Sequence, residues 1–140
     1  MADFAAQFKK QITRDEGRRN LLYLDSLGIP TVGIGRNLRR PLSDDEVDYL
    51  YTNDFFNHKK EMLREYPWMG RLDDARFGAM LNMFFNLGAD RFAGFKNMLR
   101  DMGAHNWKLA AAEALASKWA GQVGARAQRI AKQIETGEWQ

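Results

Sequence analysis

Hydrophobic residues recur every four positions near the start of the chain. Phe4, Phe8 and Ile12 fall on one face of a helix with this spacing, and the positions between them are small, polar or charged. Gly17 is a residue type that commonly ends helices. The pattern therefore predicts an amphipathic helix over residues 3–15.

A different pattern follows over residues 21–36. Tyr23, Val32 and Ile34 favour strands, while Gly28 favours a turn. This segment carries the only strong β signal in the chain. It predicts a small antiparallel hairpin or a three-stranded meander.

The next segment predicts one long helix. Ser43 and Glu46 have the spacing of a capping box, and Pro67 ends the hydrophobic repeat that follows. A helix over residues 44–66 would have ~23 residues and a length of ~34 Å. Such a helix is too long for one half of so small a protein, so we expect it to link two lobes.

The remaining pattern predicts a bundle of helices. One helix is predicted to begin after Asp73 and to end at Gly88, and shorter ones near 91–101, 107–117 and 125–135. Apolar residues surround most of the first of these helices, as is typical of the buried centre of a bundle. These residues are Phe77, Met80, Leu81, Phe84, Phe85 and Leu87. The predicted fold class is α+β and mostly helical, with a small N-terminal β-hairpin lobe joined by a long helix to a helical lobe.

The composition excludes several classes of protein. The 140 residues are 45% hydrophobic, which is enough for a packed core and argues against a disordered chain. No stretch approaches the ~18 consecutive apolar residues of a membrane span, and the first segment lacks the pattern of a signal peptide. With no Cys and only 2 His, we expect no disulfide, no metal site and no cofactor.

The charges are unevenly distributed along the chain. Residues 1–42 carry a net charge of +4, residues 43–90 carry −5 and residues 91–140 carry +4. Basic ends of this kind would attract a polyanion, which could be nucleic acid, an anionic membrane or an acidic cell-wall polymer. The cationic, Ala-rich segment 107–135 could contact anionic outer-membrane lipid, although a solvated helix face is the simpler interpretation.

Two carboxylic acids and a hydroxyl lie near the predicted β segment. Glu16 ends the first helix, where the negative end of the helix dipole favours a protonated acid that can donate to a leaving-group oxygen. Asp25 lies in a polar turn that favours the ionised form, and Thr31 follows on a strand. Glycosidases divide acid and base roles between two such carboxyl groups. Each residue alone also fits an ordinary role, as a solvated helix end, a turn cap or a strand residue.

Several motifs occur in a fixed order along the chain. They are RDEG at 14–17, TVGIG at 31–35, NMFFNLG at 82–88, AGFKN at 93–97, ASKW at 116–119, RA at 126–127 and TGEW at 136–139. Asp25 follows Glu16 by nine residues, and Thr31 follows Asp25 by six. In these motifs and this spacing, from about residue 10 to residue 139, the chain resembles the phage-type lysozymes, or endolysins, of glycoside hydrolase family 24.

The resemblance implies a reaction and a set of residues. It implies acid/base hydrolysis of the β-1,4 bond between N-acetylmuramic acid and N-acetylglucosamine in bacterial peptidoglycan, and lysis of the host cell wall. Glu16 matches the general acid, and Asp25 and Thr31 match the residues that hold the attacking water. Asp25 would act as the base of an inverting reaction, while a retaining reaction with Asp25 as nucleophile stays open. Phe85 and Asn86 match positions that line the substrate cleft.

The resemblance implies two further site residues, and at three other positions the chain departs from the family pattern. Asn97 matches the neighbourhood of the substrate cleft, and Arg126 matches a basic residue near the catalytic Glu. Arg36 stands where the best-known members have His; it cannot titrate as His does, but it can form an ion pair. Met98 and Glu113 stand where some members have polar substrate contacts, so neither is placed in the site.

The resemblance also implies an organisation and a place of action. It implies one lysozyme domain over residues 1–140, with a β lobe at about 15–43, a linking helix at 44–66 and a helical lobe formed by 1–14 and 67–140. We expect a monomer that is made in the host cytoplasm and reaches the periplasm and cell wall by holin-type release.

Two other classes of function stay open at this point. A lytic transglycosylase uses a single acid and leaves a 1,6-anhydro end, whereas the Asp–Thr pair favours a bound water. A non-enzymatic basic module would bind membrane or nucleic acid. Against it, the aromatic residues recur at helical core spacing and do not alternate with Arg and Lys on one face.

Overall fold

The structure is a computed structural model that describes residues 2–140; Met1, the first residue of the predicted domain, lies outside the described part. The described chain forms seven α-helices and one three-stranded antiparallel sheet, which confirms the predicted α+β class. The helices are α1 (Ala2–Glu16), α2 (Asp44–Glu65), α3 (Asp74–Ala93), α4 (Lys96–Gly103), α5 (Trp107–Leu115), α6 (Lys118–Val123) and α7 (Ala125–Thr136). The strands are β1 (Arg19–Leu24), β2 (Pro30–Gly33) and β3 (Arg36–Asn37).

The chain divides into two compact units. The N-terminal unit ends at Leu50 and the C-terminal unit is Tyr51–Gln140, so that the boundary falls inside α2. The N-terminal unit contains α1 together with the strands. The family resemblance instead assigns residues 1–14 to the helical lobe. The single-domain organisation and its lobe boundaries stay predictions.

The N-terminal unit contains the sheet, in the order β1-β2-β3. Gly17 ends α1 with a φ of +79°, a conformation that glycine adopts without strain, and its amide donates to the Thr13 carbonyl at 2.8 Å. Thr31 lies on the central strand, opposite Tyr23 on one side and Asn37 on the other. It is buried, with 4% of its surface exposed. The predicted three-stranded meander is therefore confirmed.

The capping box at the start of α2 is also confirmed. The Glu46 amide donates to the Ser43 hydroxyl at 3.2 Å, and the Ser43 amide donates to the Glu46 carboxylate at 2.9 Å. α2 ends at Glu65, and Pro67 begins a short 3₁₀ helix, Pro67–Arg71. Local sequence therefore determines both ends of this helix.

The core of the C-terminal unit forms around α3, as its apolar pattern predicts. Phe84 and Phe92 are almost fully buried and lie edge to face, with ring centroids 5.4 Å apart. α5 packs on α4 and α7, and α7 also packs on α3. Methionine side chains, which adapt to irregular gaps, fill much of this core. The buried methionines are Met62, Met69, Met80, Met83, Met98 and Met102.

Gly88 ends the first helical segment of α3, as predicted. Its φ of +76° and ψ of 170° are not helical, and a second, short segment continues past this kink to Ala93. The start of the helix predicted at 91–101 is wrong, because α3 ends at Ala93 and α4 begins only at Lys96. The sequence did not predict α6.

Arg76 joins the start of α3 to the end of α7. Its guanidinium donates to the carbonyls of Ile134 and Glu135 at 2.7 and 2.9 Å, and to the Asp73 carboxylate at 3.1 Å. It also lies over the ring of Trp107, 4.1 Å from the centroid. The two carbonyls belong to the last turn of α7, where intrahelical partners are missing. Arg76 therefore caps α7 and holds it against α3.

We expect Arg76→Met to lower the free energy of unfolding by about 2–4 kcal/mol, because it leaves the partly buried Ile134 carbonyl without this donor and removes the contact with Trp107. Urea titration followed by circular dichroism measures the change. Arg129→Met is the matched control, since Arg129 is exposed on the same helix, α7, and should change stability by no more than about 0.5 kcal/mol. Equal effects of the two substitutions would contradict this role of Arg76.

Candidate active site

The turn between β1 and β2 fixes one oxygen of Asp25. Asp25 Oδ1 accepts hydrogen bonds from the amides of Leu27 at 2.8 Å and Ile29 at 2.9 Å. This is the local bonding that makes aspartate frequent in turns. The second oxygen, Oδ2, has no hydrogen-bond partner in residues 2–140. One carboxylate oxygen therefore orients the side chain, and the other is available to a water or a substrate.

A single carbonyl joins Asp25 to Thr31. The Ile29 carbonyl accepts a hydrogen bond from the Asp25 amide at 3.0 Å and another from the Thr31 hydroxyl at 2.8 Å. Because the Thr31 hydroxyl donates its only proton to this carbonyl, its oxygen can act only as an acceptor toward a water. Asp25 Oδ2 and Thr31 Oγ1 are thus two acceptors on residues that share one carbonyl partner. A water that donates both protons to them would keep its lone pairs free for attack.

Glu16 is exposed at the end of α1 and lies against the turn between β2 and β3. A Cβ built on Gly35 would lie 3.0 Å from both the Cδ and the Oε2 atom of Glu16. Within the described N-terminal unit, no donor forms a hydrogen bond to the Glu16 carboxyl group. Gly35 follows Thr31 by four positions, which limits the distance between their Cα atoms to at most about 14 Å. The structure thus places all three predicted catalytic residues on the same small sheet and its adjoining helix.

Gly35 is a residue of this site that sequence analysis did not identify. We expect Gly35→Ala to lower the rate of hydrolysis by about 10- to 100-fold, because the new methyl group would displace the Glu16 carboxyl group and misplaced groups lose much of their catalytic effect. The φ of Gly35 is +69°, so the substitution also strains the backbone. Initial rates on a peptidoglycan suspension measure the effect.

Gly124→Ala is the control for backbone strain. Gly124 also has a positive φ, +58°, but nothing lies within 4 Å of a Cβ built there. Gly124→Ala should lower the melting temperature as Gly35→Ala does. The rate of hydrolysis by the folded Gly124→Ala variant should stay near that of the unsubstituted protein. A similar loss of activity in both variants would contradict the proposed contact between Gly35 and Glu16.

Arg36, which stands where the best-known members of the family have His, forms an ion pair with Glu46 at the start of α2. Its guanidinium binds both carboxylate oxygens of Glu46, with one nitrogen–oxygen distance of 3.0 Å. This confirms that Arg36 can form an ion pair in place of a titrating His. The hydrogen bonds from the Arg36 side chain and then from the Ser43 amide hold the pKa of Glu46 below its usual range. The same carboxylate raises the pKa of Arg36.

This ion pair predicts a pH dependence of stability. Since the pKa of Glu46 is lower in the folded protein, its ionised form stabilises the fold above the usual pKa of 4.5, and the contribution is lost as pH falls through the lowered value. We expect Glu46→Gln to have a lower melting temperature than the unsubstituted protein at pH 7, and the difference to shrink below pH 4.5 and to close once the pH is below the lowered pKa of Glu46. Thermal unfolding in buffers from pH 3 to 7 tests this. A difference that stays constant over the whole range would contradict it.

The C-terminal unit holds the predicted substrate residues Phe85 and Asn86. The Phe85 ring lies beside His58, with ring centroids 4.4 Å apart. Asn86 Oδ1 accepts a hydrogen bond from Trp119 Nε1 at 2.8 Å. This bond fixes the amide of the exposed Asn86 and leaves its NH₂ group able to donate to a ligand.

Asn97 lines a cleft of about 370 Å³ in the same unit. A second cleft, of about 360 Å³, has Trp119 in its wall, and Phe95 lines both. The rings of Phe95 and Trp119 lie 6.1 Å apart, edge to face. Asn97 and Trp119 therefore line two clefts that share Phe95 in their walls.

Arg126 binds Asn82, a residue that sequence analysis placed in a motif but not in the site. Two guanidinium nitrogens donate to Asn82 Oδ1 at 2.9 and 2.7 Å, and one of them also reaches its backbone carbonyl at 3.3 Å. This fork fixes the guanidinium on α3. The predicted proximity of Arg126 to Glu16 stays a prediction.

Neither metal coordination nor a membrane span is found in the described part of the chain. Residues 2–140 contain no group of three or more His, Asp and Glu side chains that could hold a metal ion. No described helix combines the length and the apolar character that crossing a bilayer requires.

Comparison with known proteins identifies one family. The model of the phage lysozyme family matches residues 13–133. The chain is 29% identical to the endolysin of Salmonella phage P22, over 80% of this chain and 81% of that protein. It is 25% identical to a protein of Dictyostelium discoideum named as a T4-type lysozyme, over 94% and 95% of the two chains.

A third relative is much longer. The chain is 27% identical to the pre-baseplate central spike protein Gp5 of Enterobacteria phage T4. The match covers 91% of this chain but only 27% of the length of that protein.

Proposed function

This chain belongs to the phage lysozyme family, and on that premise we propose that the protein hydrolyses the β-1,4 bond between N-acetylmuramic acid and N-acetylglucosamine in bacterial peptidoglycan. Such an N-acetylmuramidase lyses the cell wall of a bacterial host. The observation that carries the proposal is the family match over residues 13–133, which includes every predicted catalytic and substrate residue. The arrangement of Asp25, Thr31 and Glu16 supports it independently.

In the proposed mechanism the nucleophile is a water bound by Asp25 and Thr31. The water donates to Asp25 Oδ2 and Thr31 Oγ1, and Asp25 removes a proton as the water attacks the anomeric carbon. Glu16 gives its proton to the leaving oxygen of the glycosidic bond. An attack by water opposite to the leaving group inverts the anomeric configuration.

The residues of the C-terminal unit would bind the sugar chain. Phe85 and Asn86 offer an aromatic surface and an amide donor, and Asn97 offers a second amide beside an aromatic ring. These are the side-chain types that bind neutral sugars through CH and hydroxyl contacts. Arg126 would support the catalytic site near Glu16.

Product analysis tests the proposal. A suspension of purified peptidoglycan is treated with the protein, and the released fragments are identified by mass spectrometry. Hydrolysis at the proposed bond leaves reducing N-acetylmuramic acid ends. A lytic transglycosylase would leave 1,6-anhydro ends that are lighter by one water, and a binding module would release nothing; either result would overturn the proposal.

Four further expectations remain proposals about the whole protein. They are the single domain over residues 1–140, the monomeric state, the contact of 107–135 with anionic outer-membrane lipid, and the holin-type route from the host cytoplasm to the cell wall.

A further inference from the structure

A cleft of about 550 Å³ adjoins the glycine against which Glu16 lies. Gly35 is part of its wall, and the wall continues through the basic turn that follows β3. The lining residues are Ile34, Gly35, Arg36, Asn37, Arg40 and Pro41. A ligand in this cleft would therefore lie next to the proposed general acid.

The cleft carries one uncompensated positive charge. Arg36 is neutralised by its bidentate pair with Glu46. Arg40 is exposed, and no acidic group pairs with it in residues 2–140. The neighbouring Arg39 is also exposed but is not part of the cleft wall. The charge that a ligand in the cleft would meet is consequently that of Arg40.

A neutral donor completes the cleft. Asn37 Oδ1 accepts the Arg39 amide at 2.8 Å, which fixes the side-chain amide and leaves its NH₂ group available. A guanidinium and an amide NH₂ are both donors, and the planar guanidinium matches the two oxygens of a carboxylate. The chemistry of the cleft therefore selects an anion, and a carboxylate in particular.

We propose that this cleft binds a carboxylate of the peptide stem attached to N-acetylmuramic acid. The inference rests on the proposed function, since the stem branches from the sugar at which the chain is cut. Gly35 is common to the cleft wall and to the contact with Glu16, so the cleft adjoins the residue at which a sugar would be cut and from which its stem would branch. Binding of this remote part of the substrate helps to hold the scissile bond at the catalytic residues.

The test uses glycan strands that differ only in the charge of their stems. One preparation keeps the free stem carboxylates, and a second has them converted to neutral amides. Both are freed of wall phosphate polymers by acid treatment, and a third, amidated but not acid-treated, keeps these phosphates. KM and kcat are measured from released reducing ends for the unsubstituted protein, Arg40→Ala, Arg40→Lys and the matched control Arg39→Ala.

We expect Arg40→Ala to raise KM for the carboxylate strands by about 5- to 10-fold with little change in kcat, as for one partly solvated charge-assisted hydrogen bond. The preference in kcat/KM for carboxylate over amidated strands should fall by the same factor. Arg40→Lys should restore part of this preference, and Arg39→Ala should keep all of it. Melting temperatures confirm that each variant is folded.

Three results would overturn the assignment of the cleft. They are an unchanged preference in Arg40→Ala, an equal loss in Arg39→Ala, or a dependence on Arg40 that follows the phosphate-bearing strands instead of the carboxylates. A different outcome is that the unsubstituted protein cleaves none of the three preparations. That result would overturn the proposed function itself and this inference with it.

Discussion

Replacement of Glu16 by Gln is expected to lower the rate of peptidoglycan hydrolysis by about 10²–10⁴-fold, the usual contribution of a general acid. The amide has nearly the shape of the carboxylic acid but no proton to give to the leaving oxygen. Glu16 is exposed, and within the described N-terminal unit no hydrogen bond holds its carboxyl group. The substitution should therefore leave the melting temperature almost unchanged. Initial rates of turbidity loss measure the effect.

The control for this experiment is Glu61→Gln, which makes the same chemical change on the exposed surface of α2. It should clear the suspension as the unsubstituted protein does. A Glu16→Gln variant that is folded and retains more than about a tenth of the rate would contradict the assignment of the acid.

Asp25→Asn should cause a loss of about 10²–10³-fold for a different reason. The Asn oxygen can replace Oδ1 as acceptor for the amides of Leu27 and Ile29, so the turn should keep its conformation. The Asn NH₂ group, however, replaces Oδ2 and can only donate. It cannot accept a proton from the water that Thr31 helps to hold.

Stability and activity together test this interpretation of Asp25. Asp25→Asn should keep the free energy of unfolding within about 1 kcal/mol, whereas Asp25→Ala should lose both activity and stability because it removes the acceptor of two backbone amides. Asp54→Asn, a change at an exposed position on α2, serves as the control and should leave both properties unaltered. Full activity in the folded Asp25→Asn variant would contradict a catalytic role for this carboxylate.

The features that sequence analysis predicted correctly are those encoded by neighbouring residues. The capping box of Ser43 and Glu46, the helix end at Gly17 and the buried character of α3 each depend on residues a few positions apart. The residue types at the helix ends determine the first two features, and the periodicity of apolar side chains determines the third, since helix and strand have different repeats. The α+β class follows from the same local patterns.

The features that the sequence did not predict depend on residues that meet only in the fold. The contact of Gly35 with Glu16 joins a turn to the end of a helix, and the pair of Arg36 with Glu46 joins β3 to α2. No periodicity marks such contacts.

We propose that a water held by Asp25 and Thr31 attacks the anomeric carbon opposite to the leaving oxygen that Glu16 protonates. Proton NMR of the anomeric region in the first minutes of hydrolysis, before mutarotation mixes the products, tests this step. Cleavage of the β-linked chain should first release the α-anomer of the new reducing sugar. Initial release of the β-anomer would contradict the proposal, and would indicate a retaining reaction in which Asp25 is the nucleophile.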